Sequence, residues 1–211
     1  MSALPQHPLS MDSKSTTRAF PGFDKLFCLR ESGSRGPFRG GLAVGTDTLG
    51  LTRAEVLPTL SVPVEWEMGS AEPGDVNWTT HAAPIIISDS VVSLLRTHGF
   101  TGWSLYPVTV QNKQKQTVPG YSGLAITGRC GNLDDSMSVE VPRIFPAGIF
   151  PVWKGLLFEP TSWDGSDLFM PAQRFSFVFV VEAVKNAFER AKIRNVKFTP
   201  LDQFERSWTI E

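Results

Sequence analysis

Apolar positions fall into two matching registers along the chain. Residues 85–107, IIISDSVVSLLRTHGFTGWSLYP, run from three isoleucines into a helical period and then into alternation. Residues 178–200, VFVVEAVKNAFERAKIRNVKFTP, repeat that order 93 positions later. At this offset Ile85 to Ile87 correspond to Val178 to Val180, Asp89 to Glu182, Val91 to Val184, Leu95 to Phe188, Phe100 to Ile193, Trp103 to Val196 and Leu105 to Phe198. The pattern predicts strand, helix, strand in each copy. Ser88 stands at an N-cap position, and Val91, Leu94, Leu95 and His98 share a helical face. Gly99 is placed to end the helix in a left-handed conformation. In the second copy Val184, Ala187, Phe188 and Ala191 face inward, and Val181 replaces the cap, leaving Glu182 to favour the positive end of the helix dipole. Pro107 predicts a strand bent or interrupted there.

Elsewhere breakers dominate. FDKLFCLR predicts a first strand. GSRGPFRGG, after it, reads as a loop that lacks the order of a phosphate-binding loop. KQKQTVPGYSGLAITGRCG predicts a hairpin arm, GNLDDSMS is turn chemistry, and residues 142–171 are too rich in proline, glycine and aromatics for a long helix. A connection of that length often carries function. Residues 1–20 show no apolar period and predict a flexible tail. The expected fold is α+β: one domain over residues 21–211, with a mixed, largely antiparallel sheet, two related strand-helix-strand units and few short helices.

With 41% hydrophobic residues in 211, the chain can bury a substantial core without a folding aid. A formal charge of −1 gives no general attraction to nucleic acid or acidic lipid. Local asymmetry is confined to residues 51–80, where Arg53 stands against Glu55, Glu65, Glu67, Glu72 and Asp75, interleaved with Trp66 and Trp78. Such a segment is either a solvated acidic loop or a negative docking surface for a basic protein. Cys28 and Cys130 lack metal or redox spacing and read as ordinary thiols. Neither a secretory leader nor an apolar run long enough to span a membrane is seen, so a cytoplasmic location is expected.

Candidate chemistry is sparse. Of the three histidines, His7 falls in the expected tail, His98 on a helix and only His81 in a loop. GYSGL has Leu124 where a nucleophile elbow needs glycine. No spacing suits a metal, and Asp164 and Asp167 of WDGSD lack the remaining ligands of a calcium loop. Neither catalytic residues nor a metal or cofactor are expected. Trp103 reads as core. Trp66, Trp78, Trp153 and Trp163 fall in expected loops, where aromatics beside carboxylates suit a protein interface.

The segments ISDSVVSLLRTHGFTGWSLYPV, WDGSDLF and VFVVEAVKNAFERAKIRNVKFTPL resemble the bacterial immunity proteins of polymorphic toxin systems, in particular immunity-protein family eleven. The C-terminal end is similar to a related myxobacterial group with paired CxxCG motifs. The resemblance covers roughly residues 85–201. The chain has no CxxCG, so no metal site carries over, and RNV at 194–196 replaces the family's Thr-Gly before the last strand. What the resemblance implies is a protein that binds and neutralises a cognate toxin; the mode expected here is non-catalytic, blocking the toxin's active site or substrate path, with no direct contact to nucleic acid or membrane. The expected contacts, read from the residues themselves, are Glu65, Trp66, Glu67, Trp78, Trp153, Trp163, Asp164 and Asp167. Two other readings stay open: a structural or adaptor subunit of a larger assembly, and a small enzyme with a polar pocket around His81 and Asp134 or Asp135.

Overall fold

The structure, a computed structural model, describes residues 18–32, 36–55, 57–79 and 84–207. In chain order the first strands and helices are β1 (Leu26–Glu31), β2 (Arg39–Leu42), α1 (Thr48–Arg53), β3 (Val62–Met68), β4 (Val76–Trp78), β5 (Ile85–Ser88), α2 (Asp89–Thr97), β6 (Trp103–Gln111), β7 (Thr117–Val118) and β8 (Tyr121–Ile126). There follow β9 (Gly128–Cys130), β10 (Val139–Phe145), β11 (Gly148–Lys154), β12 (Leu168–Pro171), β13 (Val178–Val181), α3 (Glu182–Arg190), β14 (Val196–Pro200) and β15 (Glu205–Arg206). The fold is α+β, with mixed, largely antiparallel sheets. One five-stranded sheet runs β14-β1-β13-β12-β9. A second runs β2-β3-β6-β8-β5-β4 with β7 beside β6, and β10-β11-β15 form a third.

The repeat is present at the expected offset. β5, α2 and β6 begin at 85, 89 and 103, and β13, α3 and β14 begin at 178, 182 and 196. In neither copy do the two strands touch. β8 lies between β5 and β6 and is antiparallel to both, as β1 is between β13 and β14. The backbone matches in detail. Gly99 and Lys192 end the two helices at φ 64° and 56°, and Gly102 and Asn195 turn into the following strands at 83° and 69°. Asparagine is among the few residues that tolerate the left-handed region, which is how RNV replaces TGW without changing the turn.

Apolar faces set the packing. Val91, Val92 and Leu95 of α2 and Val184 and Phe188 of α3 join Ile85, Ile87, Phe179 and Val181 in the main core, where the two helices also meet. Ile86 points the other way. With Phe38, Val64 and Val110 it fills the interior of the second sheet, which a parallel bridge between Gly40 and Thr79 brings round on itself. On this sheet Tyr106 lies across β8 at Gly123, where even a Cβ would come within 2.1 Å of the ring.

Two aspartates tie the copies together. The Asp75 carbonyl accepts from Ser88 N at 2.9 Å in the first copy, while its carboxylate accepts from Arg194 N at 2.8 Å in the second. Asp167 mirrors this. Its carbonyl accepts from Val181 N at 3.0 Å, and its carboxylate from Thr101 N and Oγ at 2.9 and 3.0 Å. Thr101 and Arg194 occupy equivalent places in the repeat, so each aspartate braces the helix start of one unit to the helix exit of the other.

Several expectations require correction. Ala191 is exposed, because the helix ends before it turns that side chain inward. Ser88 is the N-cap, but its hydroxyl bonds Ser90 at 2.7 Å instead of a helix N–H. β6 runs unbroken through Pro107 and changes partners there, from β8 before it to β3 after it. The supposed loop GSRGPFRGG contributes Arg39 to Gly41 to β2, and the short helix α1 follows it. Most of the expected tail lies outside the described residues. Its last residues are docked: Arg18 pairs with Asp167, and Phe20 packs edge-on against Phe23, Phe158 and Trp163.

Candidate protein-binding surface

The connection over residues 142–171 contains a projecting ribbon. VEVPRIF and GIFPVWK pair along their whole length as β10 and β11 and turn through Pro146 and Ala147. Pro142 and Pro151 face each other. Neither has an N–H to give, so the pair suits a position between ladder bonds, and the two prolines leave the ribbon intact.

An isolated two-stranded ribbon is marginal in water and needs an anchor. Here the anchor is at the base. Val152 is buried, Trp153 and Lys154 pair with β15, and Arg143 forms a two-point ion pair with Glu205, one arm of which is 2.8 Å. That contact holds the Glu205 carboxyl below its ordinary value. Beneath, the Arg206 side chain is enclosed by Asp135 and Ser138.

The tip has no such cover. Ile144 is 85% exposed, Ile149 68%, Phe150 47% and Phe145 41%, and Val139 is 61% exposed further down. Ile144 and Ile149 are direct cross-strand partners and share a face. Phe145 and Phe150 lie 6.1 Å apart on the other face and line an apolar hollow of about 440 Å³ with Pro151, Trp153 and Ser207. Single exposed apolar residues are ordinary, whereas several large ones on one exposed ribbon make it the candidate interaction surface.

The expected contact residues divide. Trp153 sits half-buried at the base of the ribbon, in a strand. Glu65 and Glu67 are exposed on one face of β3. Trp66 points to the opposite face, its indole N–H donating to Ser70 O at 2.9 Å and its ring beneath Lys113. Trp78, Trp163 and Asp167 must be withdrawn as contacts. Trp78 and Trp163 are core residues of β4 and the aromatic cluster, and Asp167 is the buried brace between the repeats. Asp164 is exposed, but its carboxylate is occupied by Arg129 N at 2.7 Å and Ser166 N at 2.9 Å. Within the acidic segment Glu55 pairs with Arg53, Glu72 accepts from Asn112 and Asp75 is the second brace, while Glu65 and Glu67 are exposed on β3.

Features considered for catalysis have structural roles where they are described. Asp134 caps its own turn through Ser136, which depresses its carboxyl, and Asp135 pairs with Arg206. His81 lies outside the described residues. Burial pushes the Cys28 thiol up to about 12 and that of Cys130 upward as well. Among the described residues there is no cluster of three or more His, Cys, Asp or Glu side chains able to hold a metal, and no helix is long and apolar enough to cross a membrane.

Neither a family model nor a curated protein matches the chain. The resemblance to immunity proteins thus rests on the segments quoted for it.

Proposed function

We propose that this protein is a non-catalytic immunity protein that acts in the cytoplasm and neutralises a cognate protein toxin by seating it on the β10–β11 ribbon. The observation that carries the reading is the group of large apolar side chains held in water at the ribbon tip by a buried base. A partner that covered Ile144 and Ile149 would gain about 1.5–3 kcal/mol from each. The anchored ribbon presents them at little ordering cost on binding. Glu65 and Glu67 supply a second, acidic element that would steer a basic toxin.

The test is co-expression of the tagged protein with the products of neighbouring genes in its source genome. Recovery of a stoichiometric partner that is lethal alone and harmless with this protein supports the reading. Recovery only of self-assembled protein, or of a multi-subunit assembly, would replace it with the structural or adaptor role, for which the same apolar tip would serve as the joint.

A further inference from the structure

A second site lies where all three sheets meet. Residues of β1, β2, β4 and β15 enclose a cleft of about 420 Å³, within the size range of small-ligand pockets. Its carboxylates already have partners: Glu31 receives the Arg39 guanidinium at 3.4 and 2.5 Å, and Glu205 receives Arg143. Arg30 differs. Its guanidinium lies over the Phe204 ring, 4.9 Å from the centroid, and no carboxylate among the described residues is within ion-pair distance of it. Phe177 packs edge-on against Phe204 and extends the apolar wall.

Thr79 closes the floor of the cleft. It lines the cleft at 1% exposure, and its hydroxyl has no hydrogen-bond partner among the described residues. Burying a hydroxyl unpaired is costly, and this one is sealed from the cleft, so Thr79 is part of its floor and not a ligand contact.

From these features we infer that the cleft binds a small organic carboxylate, with its anionic end on Arg30 and its apolar body against Phe177 and Phe204. Glu31 and Glu205 disfavour a dianionic phosphate, whose second charge they would repel. The site adjoins the apolar hollow of the ribbon at Ser207 but does not depend on the toxin reading.

The probe is sodium benzoate, titrated into the isotopically labelled full chain, with benzyl alcohol and inorganic phosphate as comparisons. The expected result is saturable shifts at Arg30, Thr79 and the Trp78 indole with benzoate, and much weaker responses to the other two. Arg30→Gln, at an exposed position, should lower the benzoate affinity about tenfold or more while leaving Tm unchanged. Thr79→Val should raise Tm, because it removes an unpaired hydroxyl, and leave benzoate affinity within about twofold of the parent. No saturable shift, an equal response to benzyl alcohol or phosphate, or an Arg30→Gln variant that binds benzoate as the parent does would each overturn the proposal.

Discussion

Replacing Asp167 by alanine tests whether the two halves of the repeat are held by their braces or only by the shared core. The Asp167 carboxylate is 12% exposed and accepts a backbone N–H and a hydroxyl from Thr101, together with the Arg18 guanidinium. A hydrogen bond from a buried N–H to a charged acceptor is worth about 1.5–3 kcal/mol, and the hydroxyl adds about 1 kcal/mol. Arg18 is 45% exposed, so screening reduces its share to well below 1 kcal/mol. Asp167→Ala should therefore cost about 3 kcal/mol, lowering Tm by about 6–12 °C in a chain of this size. Asp167→Asn keeps one acceptor for Thr101 and should cost roughly half as much. Asp75→Ala removes the equivalent bond to Arg194 N, at a chain segment more open to water, and should cost about 1–2 kcal/mol. Urea unfolding of the three variants supplies the measurement. A loss below about 1 kcal/mol for Asp167→Ala, or a larger loss for Asp75→Ala, would show that the core alone sets the arrangement and the braces are incidental.

Four further outcomes follow from the geometry. Gly102→Ala should destabilise by about 3 kcal/mol or more, because its Cβ would meet Leu168 O at 2.0 Å, whereas Asn195→Gly at the equivalent turn should change stability by less than about 1 kcal/mol in thermal melts. The Glu205 carboxyl is held below its ordinary 4.5, so its pairing with Arg143 is complete above that value and is lost as pH falls through the lowered one. Protection of the ribbon amides against hydrogen exchange, relative to their intrinsic rates, should fall over that acid range, and Glu205→Gln should abolish that fall. Both thiols should resist an aqueous disulfide reagent at pH 8 until denaturant is added, since each is buried and neutral; rapid reaction of either in the native protein would contradict its placement. Charge reversal at Glu65 and Glu67 should slow association with a basic partner at low salt, and an unchanged rate would remove the acidic strand from the binding account.

Helix faces and the left-handed end at Gly99 were legible because each depends on residues close in sequence: the Val91–Leu95 and Val184–Phe188 stripes, and the offset shared by both copies. The strand inserted into each unit was not. β8 follows its unit directly, but β1 reaches its own unit from the other end of the chain, and no local pattern records that pairing. The ribbon was hidden for a different reason. Its prolines read as breakers, although facing each other they cost no ladder bond, and IFPAGIF carried the only available signal, apolar pairs mirrored across a two-residue turn. Burial went astray in both directions. Trp78 and Trp163 looked like loop aromatics and are core, while Ile144 and Ile149 have core chemistry and stand in water.

The most direct measurement is protection against the toxin captured with this protein, comparing the parent with the Ile144→Ser, Ile149→Ser double variant. Both positions are exposed, so the variant should fold with a stability within about 0.5 kcal/mol of the parent. If the ribbon seats the toxin, affinity falls about 100-fold or more and protection is lost. Full protection and unchanged affinity in the folded variant would contradict the account and move the interface elsewhere.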